Sequence, residues 1–169
     1  MCPATTRDLS DAKRRPVALV VAEAGAPWAG WCAEAGEGAL LTVVERDTDS
    51  PETFARRVRT AIEELERGGR RLASVVVVGG PAYGPAVLGA RATILRALCA
   101  SMMRTGGGHV LLAGPEGVRG APVHAMAALA DVVGTDMRGT GVTVTHREAL
   151  ARARRRSDAV ARPALRDVA

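Results

Sequence analysis

Aromatic side chains are nearly absent: two Trp, one Tyr and one Phe make up 2% of the 169 residues. Recognition of single-stranded nucleic acid by stacking relies on several such rings, so their scarcity argues against it. Cysteine is scarce too. Cys2, Cys32 and Cys99 are odd in number and form no CxxC pair, the pattern of reduced thiols rather than of a disulfide framework. His109, His124 and His146 show no HxH or HxxxH spacing, and no metal site is expected. No apolar run approaches the roughly 20 residues of a membrane span, and the N-terminus lacks the apolar stretch of a signal peptide, so a cytoplasmic protein is expected.

Charge is present but unevenly placed. The formal net charge is +5, and among 23 basic residues Lys13 is the single lysine, a skew that fits GC-rich coding better than selection for phosphate contacts. Residues 1–15 contribute four basic and two acidic groups, and residues 147–169 seven Arg against three acids. The stretch 16–146 has 12 Arg against 13 acids and is close to neutral. The sequence thus divides into an N-terminal arm at 1–15, a single domain at 16–146 and an Arg-rich C-terminal tail or helix at 147–169. That tail has few large apolar residues beyond Leu150, Val160 and Leu165, so removal of 148–169 is expected to leave the fold intact. The partners this composition allows are a second copy of the chain in a homodimer and, through Arg152, Arg154, Arg155 and Arg156, an acidic protein or a nucleic acid.

What the domain does contain is alternation. Continuous apolar runs at Val17–Val21, Ala39–Val44, Ser74–Val78, His109–Ala113 and Val142–Thr145 suggest strands covered on both faces, as in a parallel sheet. Between them lie helix patterns at 51–67, 85–105 and 121–133. The first opens on Ser50 as cap and Pro51 at the first helical position, carries Phe54, Val58, Ala61, Ile62 and Leu65 on one face, and stops at Gly68-Gly69. Residues 24–37 hold either one short helix around Pro27–Ala35 or a loop, because 14 residues barely accommodate a parallel crossover. The order implies a three-layer α/β sandwich with a mainly parallel five-stranded sheet.

Ligands in such sheets bind at the carboxyl edge of the strands. The loops there are Glu23–Cys32, Glu45–Ser50, Gly79–Pro85 and Gly114–Gly120. The two glycine loops could offer helix N-terminal amides to an anion, yet neither is a Walker A or GxGxxG cradle. Their glycines equally serve tight turns and their prolines helix starts. Trp28 and Trp31 share one face if their segment is helical. They either cover the end of the sheet or a subunit contact, or form with Tyr83 a stacking surface for a ligand.

The loop Gly114-Pro115-Glu116-Gly117 follows the fourth strand with the G-x-x-G spacing of the universal stress protein nucleotide loop, and the order of elements over 16–146 is similar to that family's. The resemblance implies a Rossmann-like regulatory domain with Gly114 and Gly117 at a cofactor site and Glu23 in the place of the family's acidic residue; Arg119 adds a positive group to the same loop as a candidate cofactor contact. Ala127-Ala128 stands where nucleotide-binding members have a hydroxyl-bearing pair, so ATP is disfavoured and no cofactor is expected. No GxSxG elbow announces a nucleophile, and no catalytic residue is assigned. A Cys32–His146 pair is geometrically conceivable, and Glu23, Glu45 and Asp47 are candidate acid–base carboxylates. The expected function is a non-catalytic regulatory or stress-type domain with a ligand or partner site at the carboxyl edge. The alternatives are a small-molecule enzyme using that edge and an accessory nucleic-acid binder acting through the basic tails.

Overall fold

The computed structural model describes residues 16–32, 35, 39–114 and 120–147. Strands β1 (Pro16–Ala22), β2 (Ala39–Val44), β3 (Arg71–Val78), β4 (Gly108–Ala113) and β5 (Val142–Arg147) form one sheet in the order β2-β1-β3-β4-β5, with every pair parallel. A 3-10 turn at Trp28–Trp31 connects β1 to β2, and helices α1 (Pro51–Arg67), α2 (Pro85–Arg104) and α3 (Ala121–Asp136) connect the later strands. The expected α/β class, the parallel sheet and the three helices are all present. The N-terminal arm and residues 148–169, including the arginines assigned to partner binding, lie outside the described residues, as do Gly117 and Arg119.

Alternation of side chains along each strand produces two cores. Val17, Leu19 and Val21 of β1, Val75 and Val77 of β3 and Val110 and Leu112 of β4 point toward the helices, where they meet Phe54, Val58 and Ile62 of α1, Leu95, Leu98 and Met102 of α2 and Met126 of α3. Ala18, Val20, Val76 and Leu111 point the other way, into a smaller cluster with Ala26, Trp31 and Ala35. Among the described residues the third layer is therefore thin: the 3-10 turn and its neighbours. Because β1 leads outward to β2 and the chain then returns to β3, the order in which strands are added reverses between β1 and β3. That switch point is where a crevice opens in folds of this kind.

The helix limits follow from local chemistry. Ser50 caps α1, its hydroxyl accepting the Thr53 N–H at 3.2 Å. α3 continues through Gly134 to Asp136, one turn beyond the limit expected from the sequence, because that glycine is a contact point: a Cβ there would lie 3.4 Å from the Val144 carbonyl oxygen of β5. α2 corrects the reading that no segment approaches a membrane span, since it is long enough and has a mean hydropathy of 1.4. Its apolar stripe of Ile94, Leu95, Leu98, Cys99 and Met102 is buried in the helix-side core.

Candidate functional site

The carboxyl ends of β1 and β2 bring two acids and one arginine together. Glu23 follows β1 directly and is 6% exposed; its N–H donates to the Val78 carbonyl at 3.0 Å and continues the ladder with β3. Arg91 lies in the second turn of α2 and is 1% exposed. Helical side chains lean toward the helix N-terminus, which carries its guanidinium back over the β3–α2 loop to the sheet edge. There Nε donates to Glu23 Oε1 at 2.5 Å and Nη2 to Oε2 at 2.6 Å. Nη2 also donates to the carbonyls of Ala82 at 3.1 Å and Gly80 at 3.3 Å, while the buried Nη1 has no partner. A single paired cation thus ties together β1, the β3–α2 loop and α2.

The first glycine loop, the Gly79–Pro85 strand-to-helix turn, is occupied from within. Gly80 N–H donates to Glu23 Oε2 at 2.7 Å, so the amide that could have met a phosphate already holds a carboxylate. Glycine is required there by close approach: a Cβ on residue 80 would stand 2.7 Å from the Ala24 carbonyl oxygen.

Glu45 follows β2. Its N–H donates to the Ala22 carbonyl at 2.8 Å, and its Oε2 accepts the Ala24 N–H at 2.9 Å. Burial pushes its carboxyl above the usual value and the charges of Glu23 and Asp49 push the same way, against the pull of the Ala24 N–H and of Arg91. Asp49 is held below the ordinary carboxylate range by the Arg46 N–H and then by the Arg57 guanidinium with which it pairs. Between these groups lies a cavity of about 30 Å³ lined by Glu23, Glu45, Phe54, Ala82, Ala90 and Arg91. That is room for roughly one water or one ligand oxygen.

Other candidate residues fall elsewhere. Trp31 is 1% exposed in the second-face core, with Trp28 packed on the same cluster, which places Trp31 in the covering role; Tyr83, next to the cavity-lining Ala82, is 52% exposed. Gly114 continues the sheet, its N–H donating to the Arg147 carbonyl at 3.0 Å. Asp47 is exposed. The Cys32–His146 pair is excluded by topology. Cys32 packs on the second-face cluster just after the 3-10 turn, which lies over β1 and β3, whereas His146 belongs to β5 at the far edge, two or more strand spacings or about 10 Å away. His109 Nε2 instead meets Thr145 Oγ1 at 2.8 Å. Burial raises the Cys99 thiol pKa, which makes it unreactive. Arg91 was missed as a site residue, although a signal existed: it precedes Ile94, Leu95 and Leu98 at three, four and seven residues and so stands on their apolar stripe.

No family model matches this chain, and no curated protein does. Solved structures do. One, described as a short-chain dehydrogenase/reductase from Burkholderia xenovorans, is 16% identical with a TM-score of 0.46, over 80% of this chain and 73% of that one. A hydroxysteroid dehydrogenase from Escherichia coli is 15% identical with a TM-score of 0.44, over 81% of this chain and 73% of that one. At these identities the likeness concerns the Rossmann-like fold. The expectation of a non-catalytic regulatory or stress-type domain is corrected at its site: Glu23, the acid assigned to a nucleotide site, is committed to Arg91 and Gly80. A dinucleotide does not fit in the usual way either. Its pyrophosphate rests on the N-terminus of the helix after the first strand, and here that position holds a four-residue 3-10 turn.

Proposed function

We propose that this chain is a small-molecule enzyme working at the carboxyl edge beside the β1/β3 switch point, with Glu45 as the group that transfers a proton and the Glu23–Arg91 pair as the frame that positions it. The observation that carries this reading is the convergence of three ionisable side chains from three elements on one cavity, two of them almost wholly buried. Groups so placed in a cleft are characteristic of acid–base sites. The raised carboxyl of Glu45 supports the same role, since a base closer to neutral pH both accepts and returns a proton readily. The cavity's size favours a substrate that presents a hydroxyl or carbonyl oxygen to it, with the remainder lying over the edge near Tyr83.

Thermal unfolding in the presence of short aldehydes, ketones and hydroxy acids tests this. A ligand near 100 times its Kd is expected to stabilise the protein by about 2.7 kcal/mol, several degrees in melting temperature, and Glu45→Gln is expected to abolish turnover of that compound while the variant still folds. A panel without any binder, or turnover unchanged in Glu45→Gln, overturns the proposal. A second reading is supported by charge alone: the two ends carry the positive excess while residues 16–146 are close to neutral. It makes Arg152, Arg154, Arg155 and Arg156 a contact for an acidic protein or nucleic acid, and predicts salt-sensitive DNA binding that disappears with residues 147–169.

A further inference from the structure

The two edges of the sheet are treated differently by the sequence. β5 ends in His146-Arg147, whereas β2 reads Ala-Leu-Leu-Thr-Val-Val, with no charge, no proline and Leu40 44% exposed. Among the described residues β2 pairs only with β1. Edge strands of isolated domains are normally protected by charges, prolines or bulges; β2 carries none of these in its own sequence, and among the described residues the outer edge is capped only at its carboxyl end, where Arg57 of α1 donates to the Val44 carbonyl at 3.2 Å. Its backbone polarity is also readable. Glu45 N–H faces β1, and in a parallel ladder the groups of one residue point to one side, so Leu40, Thr42 and Val44 turn theirs outward.

Beside this edge runs an open groove of about 410 Å³ between β2 and α1, with Thr42, Val43, Arg56, Thr60 and Glu64 along it. Arg56, Thr60 and Glu64 are exposed and spaced by four, forming one stripe about 12 Å long on the outer side of α1. Neither Arg56 nor Glu64 takes part in an ion pair within the described residues. The stripe is self-complementary. A twofold axis at its centre, Thr60, sets each Arg56 against the partner subunit's Glu64, and the centre of β2, Thr42, lines the same groove.

We propose that the outer edge of β2 is a homodimer interface, on which a second copy of this chain pairs antiparallel about a twofold axis near Thr42 and Thr60. Thr42 then meets its own symmetry mate, Leu40 meets the partner's Val44, and two sheets of five become one of ten. A peptide ligand would use the same strand edge, but it would have no reason to match a charge pattern that is symmetric about the strand's midpoint.

Sedimentation analysis of the full chain tests the interface. The wild type is expected to be a dimer. Arg56→Glu and Glu64→Arg, each placing like charges together at two symmetric points, are expected to weaken it by about tenfold. The double exchange is expected to restore it. Thr42→Pro, which removes an outward N–H and none of the bonds to β1, is expected to give a folded monomer. The proposal fails if the wild type is monomeric at its highest soluble concentration, or if the dimer is indifferent to both the charge exchange and the proline. Should the proline variant fail to fold, the exposed charge pair decides alone.

Discussion

A buried ion pair is an expensive arrangement unless both partners are satisfied, and in Glu23–Arg91 every polar atom but Arg91 Nη1 is engaged. Glu23 accepts from two guanidinium nitrogens and one backbone amide, and Arg91 also caps two loop carbonyls. Removing one partner strands the other charge, so Arg91→Leu or Glu23→Leu is expected to cost about 3–5 kcal/mol in denaturant unfolding. The double replacement should recover a large part of that loss, because no charge is then left buried. Glu45 acts in the opposite sense. Its pKa is raised in the folded chain, so the folded state binds that proton more tightly than the unfolded state and ionisation opposes folding. The penalty is full above the folded pKa and fades as pH falls through it toward the unfolded value. Glu45→Gln is therefore expected to raise the melting temperature near pH 7 and to lose that advantage toward about pH 4, a difference that melting curves across pH will show.

At the scale of elements, the same glycine-and-proline grammar produces different outcomes. α1 is delimited locally: Ser50 satisfies an amide at its start, and Gly68 N–H closes its end on the Glu64 carbonyl at 3.0 Å. Ser50→Ala should remove about 1 kcal/mol, seen as a lower denaturation midpoint with an unchanged slope. The 3-10 turn at Trp28–Trp31 has no such local guarantee. Its N-cap makes no side-chain hydrogen bond, and it is held by Trp31 in the second-face core. Trp31→Ala should cost about 3–5 kcal/mol, more than a four-residue turn could contribute on its own, and the comparison of the two variants separates local from tertiary support.

For the molecule as a whole, strand position sets the order of stability. β1, β3 and β4 are interior to the sheet and carry residues with no exposed surface, among them Val20, Val21, Val76 and Leu112. Their amides are expected to exchange slowest with solvent, by way of global unfolding. The outward amides of Leu40 and Thr42 should exchange fast in a monomer and slow in the dimer, which makes their protection dependent on concentration.

Fold class, the five strands and three of the connections were legible in the sequence, because unbroken Val-rich runs and capped amphipathic segments are local signals. Glycine misled at the end of α3, where Gly134 marks contact with β5 rather than a stop. The site was legible only in part. Position at the carboxyl edge pointed to Glu23 and Glu45, but pairing depends on which helix turn faces which strand end, and Arg91 is 68 residues from its partner. The Cys32–His146 pair looked possible along the chain and vanished once the order β1-β3-β4-β5 separated the two. Periodicity records which residues are buried. Only packing decides which buried charge meets which, since that choice is made by long-range topology and by desolvation in the assembled core.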